Sequence, residues 1–261
     1  MSTLRQKLWL WGQTAGSHHI NNAFGLPGMS RMTALEGAYY FGIPNMCRVV
    51  MAGLPHLPFD QDAMVLDTMD NVVWSIIGDG GSGLVDFTDE IVRLASMYPN
   101  ITGAIMDDFM TETRMKLFTP DVLRGFKEKL YNAARKLPLW TVIYTTELTE
   151  ERRPYIAECD VISLWTRWAK DLVNFAQNYE ALRQLSSGQK IYAGCYLWDY
   201  GSHSEMPPAL MQHQLDTYYQ MLKTGEIEGI IFCSNCCADV GLEASYMARE
   251  WIRRHGDEEI G

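Results

Sequence analysis

The run Gly103-Ala104-Ile105-Met106-Asp107-Asp108-Phe109 is an apolar, strand-forming segment that stops at two adjacent carboxylates. A carboxyl group there can act as general acid, general base or nucleophile if low-dielectric surroundings or a second carboxylate raise its pKa. Successive strand side chains point to opposite faces. At most one of Asp107 and Asp108 therefore enters a cavity at the strand end, unless the chain has already turned there. The register Gly103, Ile105, Asp107 slightly favours Asp107 as the chemical group, with its neighbour holding structure, yet Ala104 makes nearly the same case for Asp108. A plainer use is that the two residues cap a loop or pair with Arg114, since Asp is common in turns.

Cleavage of a glycosidic bond usually takes two carboxyl groups, roughly 5 to 9.5 Å apart. Adjacent residues alone fit that span poorly. Glu147, Asp199 and Asp79, each after a different strand, are candidates for the second group. Asp199 sits in Tyr196-Leu197-Trp198-Asp199-Tyr200, where Tyr196 and Trp198 offer faces for a sugar ring or, equally, packing area for the barrel top. Glu147 leads into Leu148-Thr149-Glu150-Glu151-Arg152-Arg153 and also suits a charged helix start.

If the sixth strand continues far enough, Ser163, Trp165 and Arg167 share a face, which sets a cation beside an aromatic platform. Such a pair suits an acidic sugar or another carboxylated substrate; an Arg that neutralises Asp107 or Asp108 is an equal alternative. Trp11, His18, His19 and Asn235 complete the candidate substrate contacts, because each lies near or after a strand end. Adjacent histidines cannot easily share one metal geometry, though sugar isomerases on related barrels bind a divalent ion through His, Asp and Glu. Cys233, Cys236 and Cys237 lack the second ligand pair of a zinc site, so buried small hydrophobes are their expected use.

These residues lie far apart in sequence, and a repeating scaffold brings them together. Short β-prone runs are expected at Leu8–Gln13, Met46–Ala52, Val72–Ile77, Ile101–Met106, Trp140–Thr145, Val161–Trp165, Ile191–Leu197 and Gly229–Cys233. Helix-period segments lie near 32–42, 59–69, 86–98, 120–136, 149–158, 169–186, 206–224 and 242–255. Thr119 before Pro120 is a helix start, Asp86 or Thr88 can cap the third helix, and Pro207 and Pro208 open the seventh. Alternation of this kind implies parallel strands joined by right-handed crossovers, and eight of them close an α/β barrel of one domain over residues 1–261, the (β/α)8 TIM barrel. An open doubly wound sheet would show a phosphate turn directly after its first strand. The glycine-rich loop Gly78, Gly80, Gly81 and Gly83 follows the third strand instead and lacks a Lys-Ser/Thr ending. It reads as a flexible connection, and no nucleotide or flavin cofactor is expected.

The chain has 261 residues, 47% of them hydrophobic and 21% charged, which suits one large core. With 22 basic against 32 acidic residues the net charge is -10, so neither nucleic acid nor an anionic membrane is an expected partner. Leu8 to Trp11 is too short for a signal-peptide core or a membrane span and is read as strand; with six cysteines in so large a chain, a cytoplasmic location follows as the expectation.

The eightfold rhythm, with Gly103-Ala104-Ile105-Met106-Asp107-Asp108-Phe109 on strand four, resembles the glycoside-hydrolase-like barrels. The resemblance implies a catalytic carboxylate at the end of strand four, transferred to Asp107 or Asp108. The chain departs from the best-known patterns: it lacks the Asn-Glu pair of many retaining enzymes and the alternating acidic run of chitinase-like barrels. A hydrolase acting on a small-molecule or oligosaccharide substrate is the first expectation, with a homo-oligomer compatible with the sequence. The alternatives are a metal-dependent isomerase or aldolase-type barrel using His18 or His19 with Asp108 and Glu147, and a non-catalytic carbohydrate-binding barrel.

Overall fold

Strands apolar on both faces need cover on both sides, and a barrel wrapped in helices supplies it. The computed structural model, which describes residues 2–79 and 85–260, has this arrangement. Gly80, Gly81 and Gly83 lie outside the described residues. Among the described residues, eight parallel strands close in sequence order: β1 (Leu8–Gly12), β2 (Asn45–Val50), β3 (Asn71–Gly78), β4 (Ile101–Met106), β5 (Leu139–Tyr144), β6 (Val161–Trp165), β7 (Lys190–Tyr196) and β8 (Gly229–Cys233). Pairing of Ile230 with Leu8 and of Cys233 with Trp11 seals β8 to β1. Ahead of β1, Leu4–Lys7 forms a 3-10 turn, and Ser2–Thr3 pairs antiparallel with Glu259–Ile260.

Helices α1 (Ala34–Phe41), α2 (Asp60–Leu66), α3 (Thr88–Met97), α4 (Pro120–Tyr131), α5 (Arg153–Glu158), α6 (Phe175–Leu185), α7 (Pro208–Lys223) and α8 (Glu243–His255) follow the strands in turn. Helix α4 shows why: Leu123, Phe126 and Leu130 recur at helical spacing and are buried, and the Thr119 hydroxyl accepts from the Val122 amide ahead of them. The segment expected to run to residue 136 stops at Tyr131. There the Leu137 amide turns back to Leu130 O, and Arg135 donates to the carbonyls of Tyr98 and Ile101 at 2.6 and 2.8 Å. The segments expected at 149–158 and 169–186 likewise open as 3-10 turns, Glu150–Arg152 and Ala169–Asn174. No helix of the described residues is long and apolar enough to cross a membrane.

Alternate residues of each strand face the barrel axis, and aromatic rings fill it in two storeys. The lower holds Trp9, Trp140 and Tyr192, with ring centroids 4.5 to 6.0 Å apart. Gly229 makes room for it, since a Cβ there would lie 2.6 Å from the Tyr192 ring. The upper storey joins Trp11 to Trp165 at 5.3 Å and Trp165 to Tyr196 at 4.8 Å. Gly194 lies beneath Trp165, where an added Cβ would come within 2.0 Å of the indole. Gly194→Ala therefore has to tilt or expel Trp165, and we expect it to cost about 1–3 kcal/mol of stability, as overpacking generally does. Chemical denaturation checks this; an unchanged midpoint would show that the indole gives way freely.

Candidate active site

A cavity of about 360 Å³ opens at the C-terminal ends of the strands, and its lining draws on all eight. Asp79, Asp107 and Asp108 form the side above β3 and β4, while Tyr144, Trp165, Arg167 and Tyr196 form the side above β5 to β7. Trp11, Gln13 and, from the long first loop, His18 and Phe24 complete the wall with Met51, Val142, Tyr200 and Cys233.

Both carboxylates at the end of β4 line this cavity, not one of them. Strand alternation ends at Asp108, whose φ of 45° is left-handed, a conformation that Asp tolerates better than most side chains. Asp107 is 7% exposed. Burial, then the charges of Asp108 and Asp79, push its pKa well above the ordinary carboxylate range against the pull of Arg114. Burial also raises the pKa of Asp108, but the Tyr144 hydroxyl, donating to Asp108 Oδ1 at 2.9 Å, opposes it by favouring the anion. The two carboxyls share one site, in which the Tyr144 phenol favours the anion on Asp108 while the neighbouring charges favour the neutral form of Asp107. Tyr196 in turn donates to the Tyr144 oxygen at 3.2 Å, which fixes the direction in which Tyr144 donates. Asp79, at the end of β3, accepts from the Ala52 amide at 3.0 Å, and burial raises its pKa too.

Arg114 does not pair with the two carboxylates as the plainer reading of the sequence had it. Its Nη1 donates to the backbone oxygens of Asp107 and Asp108 at 3.2 and 3.3 Å, and its Nη2 to Gly78 O at 2.7 Å. The guanidinium ties the ends of β3 and β4 together from behind.

His18 is held across the cavity by a closed set of hydrogen bonds. Ser234 Oγ donates to Gln13 Oε1, so the Gln13 amide nitrogen donates to His18 Nε2 at 2.8 Å. Nδ1 then carries the proton and faces the Tyr200 oxygen at 3.2 Å, and the Tyr200 hydroxyl is left to donate to Cys237 Sγ at 3.4 Å. Burial lowers the His18 pKa to about 3, so the ring is a neutral, fixed wall.

Of the residues singled out in the sequence, Asp107, Asp108, Asp79, Trp11, His18, Trp165, Arg167 and Tyr196 come together here. Five others do not line the cavity. Asp199 Oδ1 accepts from the amides of Gly201 and Ser202 and shapes its own turn, and Trp198 Nε1 donates to Phe24 O at 3.0 Å. Buried Asn235 bridges Gln13 and Met32 through the backbone. Glu147 accepts from the Tyr144 amide and closes a 3-10 turn, with burial raising its pKa. His19 Nδ1 accepts from the Ser30 amide at 3.4 Å. Among the described residues, no three His, Cys, Asp or Glu side chains form a metal-ligand group, so His18, Asp108 and Glu147 are not assembled as one. Tyr144 was missed as a site residue; the spacing Trp140, Val142, Tyr144 puts it on the inner face of β5 and could have found it. Phe24 and Met51 leave no such signal.

A scan against family models gives no match, and a search of the curated proteins gives none. Solved structures do match over nearly the whole chain. A GH113 beta-1,4-mannanase superposes with a TM-score of 0.57 at 10% identity, covering 97% of this chain and 99% of its own. A GH99 endo-alpha-mannosidase from Bacteroides thetaiotaomicron gives 0.57 at 10% identity, with 97% and 98% covered. A GH18 chitinase from Pseudoalteromonas aurantia gives 0.54 at 11% identity, with 94% and 99% covered. At such identities the likeness is one of fold: the chain is a closed (β/α)8 barrel of the architecture found in these glycoside hydrolases.

Proposed function

We propose that the protein is a glycoside hydrolase in which Asp107 is the proton donor and Asp108 the charged partner. The observation that carries this reading is a pair of neighbouring carboxyls in unequal surroundings, Asp107 buried beside two other carboxyls and Asp108 accepting from the Tyr144 hydroxyl, in an aromatic-walled cavity. A protonated Asp107 delivers its proton to the glycosidic oxygen as the bond breaks. The oxocarbenium-like sugar that develops then faces the negative charge of Asp108. Asp79, on the neighbouring strand and the same wall, is the carboxylate suited to the second role of nucleophile or water-activating base. Trp165 and Tyr196 supply ring faces for the sugar, and the neutral His18 with Gln13 borders them. Arg114 holds the two strand ends at fixed separation, so the carboxylates need not reorganise during reaction.

A panel of aryl glycosides and defined oligosaccharides, assayed with the purified protein, tests the reading. We expect turnover of at least one member. Tight sugar binding without turnover anywhere in the panel would replace it with a non-catalytic binding barrel.

A further inference from the structure

Arg167 stands apart from the other cations around the cavity. It follows β6 directly, lines the cavity and is solvent-exposed. No carboxylate of the described residues comes within 4.0 Å of its guanidinium. Arg114, by contrast, is spent on backbone oxygens, and Arg48 is buried against Asp62 at 2.6 Å. The Arg167 guanidinium rests instead near the Trp168 ring, 5.6 Å from its centroid. Its backbone is pinned, because Arg167 O accepts from the Gly201 amide at 2.9 Å. Gly201 is pressed so closely against Trp168 that an added Cβ would lie 2.2 Å from the indole. The head group is thus open while its base is fixed, an arrangement that lowers the entropy lost when an anion docks.

We infer that the substrate is a sugar bearing a single carboxylate, such as a uronic acid, and that Arg167 binds that group. This rests on the hydrolase reading above and names its substrate class. The cavity is bipolar: three carboxyl groups occupy the β3 and β4 side and Arg167 the β6 side, with Trp165 and Tyr196 on the wall that carries Arg167. A sugar ring stacked on those aromatics with its carboxylate toward Arg167 keeps its own charge on the side away from Asp79, Asp107 and Asp108. A planar carboxylate also matches the guanidinium fork with two parallel hydrogen bonds. A dianionic phosphate would meet the same wall of acids at twice the charge, and a polyuronate would meet a chain of net charge -10, so one carboxylate on a short sugar fits best.

The test is binding, read by calorimetry, of matched probes that differ only at C6: methyl glucuronide, galacturonide and mannuronide against methyl glucoside, galactoside and mannoside. Glucose 6-phosphate is the phosphate arm. We expect the native protein to hold at least one uronide on the order of ten- to hundredfold more tightly than its neutral partner, the worth of a charge-assisted pair. That preference should shrink toward unity in Arg167→Gln and be only partly kept in Arg167→Lys, which preserves charge and loses the fork. Thermal melting of both variants should stay close to the native protein, because the exposed guanidinium forms no ion pair within 4.0 Å and gives up only its contact with the Trp168 ring and a longer-range attraction to Asp108. Equal affinity for a uronide and its neutral partner overturns the inference. So do failure of every uronide to bind, a preference that survives in Arg167→Gln, and tighter binding of the phosphate. Turnover of a neutral glycoside without uronide preference removes this inference and leaves the hydrolase reading in place; uronide binding without turnover of any glycoside does the reverse.

Discussion

Asp107→Asn lowers kcat about 10²- to 10⁴-fold on whichever glycoside is turned over, the usual worth of general acid-base catalysis. Asn keeps the size and most of the hydrogen bonding of a protonated Asp and removes only the transferable proton. The native pH profile should have two limbs. Activity rises as Asp108 ionises and falls again as pH climbs through the raised pKa of Asp107; the second limb should vanish in the Asn variant. Stability gives an independent reading with a definite sign. The folded pKa of Asp107 lies above its unfolded value, so folding takes up a proton between the two. Its stabilising contribution is complete below the unfolded pKa and is lost as pH rises through the folded one. The melting temperature of the Asn variant relative to native should therefore grow more favourable with increasing pH across that window. A constant difference would mean that Asp107 titrates normally, and full activity in a folded Asn variant would remove it from the chemistry.

Tyr144→Phe should reduce kcat about 10- to 100-fold, the loss expected for one charge-assisted hydrogen bond of about 1.5–3 kcal/mol. The phenol donates to Asp108 and so favours its anion; without it the Asp108 pKa rises and the acid limb of the profile moves to higher pH. Tyr196→Phe is the informative companion, because it removes the donor to Tyr144 and leaves the bond to Asp108 standing. Its shift should be in the same direction and smaller. An unmoved acid limb in Tyr144→Phe would show that Asp108 is not the group whose ionisation governs activity.

The barrel was legible in the sequence because every unit repeats one instruction, an apolar strand followed by a helix with a single buried stripe. The expected bounds of β4, β6 and β8 agree with the structure, while β2 ends at Val50 instead of Ala52. The difference at β2 lies in a turn, where Ala52 adopts a φ of 52° to bring its amide to Asp79. The candidate site was legible only in part. Position at or just after a strand end located Trp11, His18, Asp107, Asp108, Trp165, Arg167 and Tyr196, and equally picked out Asp199 and Asn235, which spend their polar groups on nearby backbone. Nothing local distinguishes those uses, since both place a polar side chain in a rim loop. The left-handed turn at Asp108 is a second such case: alternation predicts opposite faces, and one backbone angle cancels it.

The two storeys of rings along the barrel axis also make the protein its own optical instrument. Trp9 with Trp140 and Trp11 with Trp165 are indole pairs only 5.1 and 5.3 Å apart, and only the second pair borders the cavity. Light absorbed within either pair is shared between its members, so their emission and near-ultraviolet dichroism report on each pair as a unit. The lower pair, away from the cavity, is an internal reference, and the upper is a sensor whose surroundings change when a ligand displaces water. The protein can thus reveal occupancy of its cavity without a label, including by compounds that it never cleaves.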